Sequence, residues 1–184
     1  MSFDQWVLDS AVDQRTPWLV DVVDVITDSG GTLAAWIIST VLTITLLMRG
    51  RRIDALLVAG SMLTGLLVMS GLKRIFTRTR PPVPERLIEI DSYSFPSGHA
   101  MMTAILATVV AAVIVRLTLP SLVRVTMLVS LALYTVAVGF SRVYLAAHWM
   151  TDVLAGWAFG VIWAGVWILG TSRSRQRRRE PQPV

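Results

Sequence analysis

Long apolar runs broken by short polar stretches dominate the chain. Residues 31–48, 53–72, 100–119, 122–140 and 153–170 carry no full charge in their middles over 18 to 20 positions. An α-helix needs about 20 such residues, at about 1.5 Å each, to cross a hydrocarbon layer of about 30 Å. The pattern predicts five transmembrane helices. They are joined by tiny connections at 49–52 and 120–121 and by one sizeable loop, 73–97. The first thirty residues read differently, because six aspartates (Asp4, Asp9, Asp13, Asp21, Asp24, Asp28) interleave with Trp6, Leu8, Val12, Trp18, Val22 and Ile26. Acids recur too often there for a crossing, and the mixed three- and four-residue apolar spacing predicts short amphipathic helices lying along the membrane surface, separated at Pro17. No basic segment precedes an apolar core, so this is not a signal peptide.

The expected architecture is an all-α integral membrane protein. It comprises interfacial helices over 1–30, a bundle of five transmembrane helices over 31–170 with the N-terminal surface helix as a candidate sixth, and a basic tail over 171–184. Composition agrees: 54% of residues are apolar, 16% are charged and the mean hydropathy is +0.62, too oily for an ordinary soluble domain. The absence of cysteine removes disulfides, thiolate metal sites and a cysteine nucleophile. The net charge of +5 owes most to Arg173, Arg175, Arg177, Arg178 and Arg179, a tail effect that gives no reason to expect nucleic acid as a partner.

Lysine and arginine in short loops are retained in the cytoplasm. Counting through five spans puts ten on the side of the tail and seven on the other, the latter with ten of the twelve acids. This predicts a multi-pass protein of the plasma (inner) membrane with a cytoplasmic tail, and with the acidic amino terminus and the long loop on the extracytoplasmic face. Gly156, Gly160 and Ala164 repeat at spacing four, which marks close helix packing. Trp149, Trp157, Trp163 and Trp167 read as packing and interface anchors.

Packing does not explain the clustering of polar chemistry on the outer side. The only lysine, Lys73, is followed by Arg74, Arg78 and Arg80 just past the second span. A headgroup belt would account for such a cluster, but belts favour the inner face. Next, Phe95-Pro96-Ser97-Gly98-His99 precedes the third span. Serine is a preferred N-cap, glycine admits close approach, and the free N–H groups of a first helical turn attract anions. The third segment, Ser141 to Asp152, joins the last two spans. On a helical turn His148 and Asp152 would share a face, so that the carboxylate holds one ring nitrogen and frees the other for attack. A structural His–Asp hydrogen bond is the plain alternative. A zinc pair is disfavoured by the surrounding arginines and the lack of further ligands. Cations, helix-terminal amides, an oriented histidine and a second histidine as proton carrier together fit phosphoryl transfer.

These segments, Lys73-x6-Arg80-Pro81, Pro96-Ser97-Gly98-His99 and Ser141-Arg142-x5-His148-x3-Asp152, match at all eleven specified positions. They resemble the tripartite signature of the type 2 phosphatidic acid phosphatase (PAP2) superfamily. The frame departs from the six spans of many membrane members, since five are clear here. The resemblance implies His148 as the nucleophile that becomes a phosphohistidine, Asp152 as its orienting carboxylate, and His99 as the acid and then base. Lys73, Arg80, Ser97, Gly98 and Arg142 would hold phosphate oxygens, with no metal or other cofactor. The implied activity is hydrolysis of a lipid phosphate monoester or diphosphate at the outer face. Polyprenyl diphosphate is the lead substrate, and phosphatidylglycerophosphate and phosphatidic acid are alternatives. Phosphotransfer to another hydroxyl and a non-catalytic lipid or anion carrier are the competing readings. Residues 82–95 are the only stretch available as a lid.

Overall fold

The computed structural model describes residues 1–177 as seven helices. The expected cytoplasmic tail, 171–184, lies outside the described residues from 178 onward. Helix α1 (Phe3–Asp13) is capped by Ser2, whose hydroxyl accepts from the Gln5 N–H at 3.2 Å. Pro17 opens α2 (Pro17–Ser29), a position where its missing N–H costs nothing. Then come α3 (Thr32–Met48), α4 (Arg52–Phe76), α5 (Gly98–Val115), α6 (Ser121–Tyr144) and α7 (Met150–Arg177). Among the described residues, α4, α5, α6 and α7 each have the length and apolar composition to cross a membrane.

The candidate for a fifth crossing has a bend where a straight span is expected at 31–48. Helices α2 and α3 pass that test only as a pair, bent by 45° at Gly30 and Gly31. Residues 17–29, within the stretch expected to lie on the surface, form the first arm of this bent pair, fastened to α6 by a 2.6 Å hydrogen bond from the Tyr134 hydroxyl to the Ser29 carbonyl. Boundaries shift elsewhere too. Helix α4 continues to Phe76, so Lys73 sits in its last turn. Helix α5 stops at Val115, four residues before the expected end, and its connection to α6 is correspondingly longer.

Helix α5 is the axis of the bundle, with Ala100, Met101, Ile105 and Val109 fully buried. It packs most closely on α7, and the glycine stripe is the reason: a Cβ at Gly160 would lie 2.6 Å from the Met101 carbonyl oxygen, and one at Gly156 2.8 Å from that of Ser97. Trp163 and Trp167 both donate to the Thr64 hydroxyl, at 3.2 and 3.0 Å, and lock α7 to α4. Outward, α6 exposes Leu122, Val125, Val129, Leu133 and Val136 along one face, as a lipid-facing helix should. At the end of the bundle where α4 begins, buried Asp54 pairs with Arg51 at 2.6 Å and Arg116 at 2.7 Å, which satisfies a charge that would be costly alone. The chemistry-bearing residues gather at the opposite end.

Candidate active site

Four helix termini and two loops converge on one cavity of about 220 Å³, lined by Lys73, Arg80, Gly98, His99, Arg142 and His148 together with apolar Met69, Met102 and Ile90. Lys73 comes from the last turn of α4, His99 from the first turn of α5 and Arg142 from the last turn of α6. Ser97 is the N-cap of α5, its hydroxyl 3.5 Å from the Ala100 N–H, and its own N–H donates to the Asp152 carbonyl at 3.0 Å. All eight residues nominated from the sequence thus lie in or against one site. Asp152 stands behind the lining.

The link between α6 and α7 aims His148. Ala146 adopts a left-handed conformation (φ 52°), uncommon for a residue with a Cβ, and the N–H groups of Ala147 and His148 both donate to the Arg142 carbonyl, at 2.9 and 3.1 Å. His148 therefore precedes α7 and does not share a helical face with Asp152, as the sequence spacing suggests. Asp152 meets it because, in the first turn of α7, its carboxylate turns back and accepts the Trp149 N–H at 3.0 Å, half of a capping box. That carboxylate also accepts from the Ser94 hydroxyl at 2.5 Å and from Arg78 at 2.6 Å. His148 Nδ1 stands 3.5 Å from Asp152 and 3.4 Å from Ser94 Oγ, a looser contact than either of these.

The tautomer follows from Arg80. Its guanidinium nitrogen lies 3.1 Å from His148 Nε2, and guanidinium only donates, so Nε2 carries the lone pair and Nδ1 the proton. Burial drives the His148 pKa down to about 3; the cations Arg80, Arg142 and Lys73 add to this, and the Asp152 hydrogen bond opposes it. A neutral ring with an in-plane lone pair toward the cavity is the nucleophilic form.

The cations are held in place before any ligand arrives. Arg80 donates to the carbonyls of Ser92 (2.7 Å), Ala147 (2.5 Å) and Tyr93 (3.2 Å), and Lys73 Nζ donates to the Tyr93 carbonyl. Arg142 is 3% exposed, bonds the Thr27 hydroxyl at 2.6 Å and leaves its Nε without a partner. The loop expected as a lid is thereby pinned at 92–94 by the site itself. Arg15 pins its other end through the Glu85 carbonyl at 2.7 Å. The break between α2 and α3 lies beside His99: a Cβ at Gly31 would sit 3.0 Å from the Asp28 carbonyl oxygen and in ordinary contact, 3.7 Å, with His99 Nε2. Arg78, Ser94, Asp4 and Thr151 take part in this network without having been assigned roles from the sequence. Among the described residues, no three His, Cys, Asp or Glu side chains group as metal ligands.

Comparison with known proteins gives the family. The family model described as PAP2 superfamily matches residues 54–176. Phosphatidylglycerophosphatase B of Bacillus subtilis (strain 168) is 33% identical over 163 residues, covering 88% of this chain and 79% of that protein. An undecaprenyl-diphosphatase of Sulfolobus acidocaldarius is 38% identical over 68 residues, covering 37% of this chain and 29% of that one. Among solved structures, the transmembrane PAP2-type phosphatidylglycerolphosphate phosphatase of Bacillus subtilis superposes with a TM-score of 0.86 at 31% identity, over 96% of this chain and 87% of that one. Aquifex aeolicus LpxE gives 0.75 at 20% identity, over 92% and 96% of the two chains, a likeness of fold. The chain belongs to the PAP2 superfamily, among its membrane phosphatases.

Proposed function

We propose that this protein hydrolyses a phosphate monoester or diphosphate of a membrane lipid through a phosphohistidine on His148. The observation that carries the reading is His148 Nε2, an unprotonated ring nitrogen held by an Arg80 N–H at 3.1 Å, at a cavity that also presents Lys73, Arg142 and His99. In the first step Nε2 attacks phosphorus while the bond to the leaving oxygen breaks and His99, whose protonated form the bound phosphate anion favours, gives that oxygen its proton. In the second, His99 takes a proton from water, the resulting oxygen attacks phosphorus, the P–N bond breaks and inorganic phosphate leaves. Lys73, Arg80 and Arg142 balance the negative charge of the five-coordinate transition state, with the N–H groups that open α5 at Gly98 and His99. Asp152 stabilises the ring while it carries the phosphoryl group.

A cavity of about 220 Å³ falls below the roughly 300–1,000 Å³ that encloses a drug-sized ligand. It suits a phosphate headgroup, with the hydrocarbon left in the bilayer. Phosphatidylglycerophosphate is supported by the relative that aligns with 88% of the chain, and polyprenyl diphosphate by the shorter match to an undecaprenyl-diphosphatase. The charge asymmetry of the loops supports an extracytoplasmic site and a cytoplasmic tail. Phosphate release by detergent-purified protein in EDTA, with the two lipids side by side and His148→Ala as control, tests the proposal. Release that disappears in the variant is expected, and the faster lipid names the substrate. Equal release from wild type and variant refutes the mechanism, and no release from either lipid favours a carrier.

A further inference from the structure

The N-terminal helix reaches into the site from outside the signature segments. Asp4, in the first turn of α1, accepts the Thr151 N–H at 2.9 Å, the Thr151 hydroxyl at 2.6 Å and an Arg78 N–H at 2.6 Å. Arg78 spends another nitrogen on Asp152 at 2.6 Å and on the Thr151 hydroxyl at 2.7 Å, and its guanidinium lies over the Trp149 ring at 5.7 Å. The chain of contacts runs Asp4, Arg78, Asp152, His148.

We propose that Asp4 is a positioning residue for the His148–Asp152 pair, acting through Arg78 and the first turn of α7. The inference rests on the reading of His148 as nucleophile. Geometry and charge both support it. Asp152 is fully buried and its contact with His148 Nδ1 is long, at 3.5 Å, so the histidine does not fix the carboxylate; Arg78, Ser94 and the Trp149 N–H do. Arg78 alone would draw negative charge away from the histidine, and Asp4 offsets that pull. Burial pushes the Asp4 carboxyl up, but hydrogen bonds from the Thr151 hydroxyl and N–H and from Arg78 outweigh it and hold the pKa below the ordinary range, so the offset is present at neutral pH. Asp4 also occupies an N–H of the α7 first turn that has no partner within the helix. Helix α1 is seated for this task by Leu8, 1% exposed, and by Val7 against the cluster of Ala100, Val143, Met150 and Val153.

The protein has two histidines, so ring-nitrogen NMR of ¹⁵N-histidine-labelled full-length protein in detergent micelles reads His148 directly, with His99→Gln for assignment. The groups facing His148 are Lys73 on α4, His99 on α5, Arg142 on α6, Asp152 on α7, and Arg78, Arg80 and Ser94 from the loop. In the wild type Nδ1 alone is protonated. Asp4→Asn is expected to shift the Nδ1 resonance and lower kcat by about tenfold, with KM within about twofold, the scale for groups that orient a ligating or catalytic side chain. In an Arg78→Gln background Asp4→Asn should add little, because both act along one path. Ser2→Ala, which removes the α1 cap without touching Arg78, should leave spectrum and turnover at wild-type values and so separates positioning from loosening of the helix. An unchanged His148 spectrum in Asp4→Asn, or effects of the two substitutions that multiply, overturns the proposal. If the wild type shows no His148-dependent phosphate release, the phosphatase reading fails, and the ring spectra still decide whether Asp4 positions the pair.

Discussion

His148 is held neutral in a buried, cationic pocket, and this has a consequence for stability. Folding lowers its pKa from the ordinary histidine value near 6.5 to about 3. The unfolded chain therefore binds a proton between those limits that the folded protein excludes, and stability falls as pH drops from about 6.5 toward 3. Melting temperatures from pH 7 to pH 4, followed by tryptophan fluorescence, should decline less steeply in His148→Gln than in the wild type. Equal slopes would mean that the ring is not held neutral by burial. The same residues show what a sequence reveals at this scale. Lysine and histidine are so scarce here that Lys73, His99 and His148 mark the site by their presence alone. Arg78, Ser94 and Asp4 carry no such mark: Arg78 meets Asp4 and Asp152 at 74 positions' separation in either direction, and Ser94 meets Asp152 at 58. Contacts that distant leave no local period to read.

At the scale of helices, small residues decide what can approach what. Gly160 lets α7 lie against the α5 backbone, and the atom a side chain would strike first is the Met101 carbonyl oxygen, at 2.6 Å, followed by the Ala104 Cβ at 2.8 Å. Neither yields without moving a helix. Gly160→Ala should therefore destabilise by about 1–3 kcal/mol, the usual cost of overpacking, whereas Gly165→Ala, with nothing within 4 Å, should not; thermal unfolding in detergent compares them. The spacing of Gly156, Gly160 and Ala164 makes this contact readable from sequence. Helix ends are less so. Four of them deliver candidate-site residues, and each end depends on capping: the Asp152 carboxylate folding back onto Trp149, the Ser97 cap, Thr77 in the left-handed conformation that closes α4, and the Leu145 N–H on the Ser141 carbonyl that closes α6. The spacing of His148 and Asp152 suggests a shared helical face, but the pairing arises from a cap. The bend between α2 and α3 is likewise hidden, because apolar length alone does not reveal a break at Gly30 and Gly31, where a Cβ on Gly30 would lie 2.3 Å from the Val138 side chain.

Across the whole molecule, charge is sorted to the two ends of a bundle whose sides are apolar. One end buries Asp54 between Arg51 and Arg116, a structural use of arginine. The other assembles Lys73, Arg80 and Arg142 around a cavity and holds each by carbonyl or hydroxyl oxygens that leave net positive charge for an anion. That division explains how a small bundle reaches phosphoryl-transfer chemistry: α4 to α7 supply the walls, and α1, α2 and the pinned loop close the site from above. In this reading His148 forms the covalent intermediate. Its most direct test is to mix purified protein with phosphatidylglycerophosphate or polyprenyl diphosphate carrying ³²P in the terminal phosphate, quench in alkali, and look for protein-bound label that acid releases. Label is expected on His148, lost in His148→Ala and accumulating in His99→Ala if water attack is the step that suffers more. Undiminished label or phosphate release in His148→Ala would contradict it.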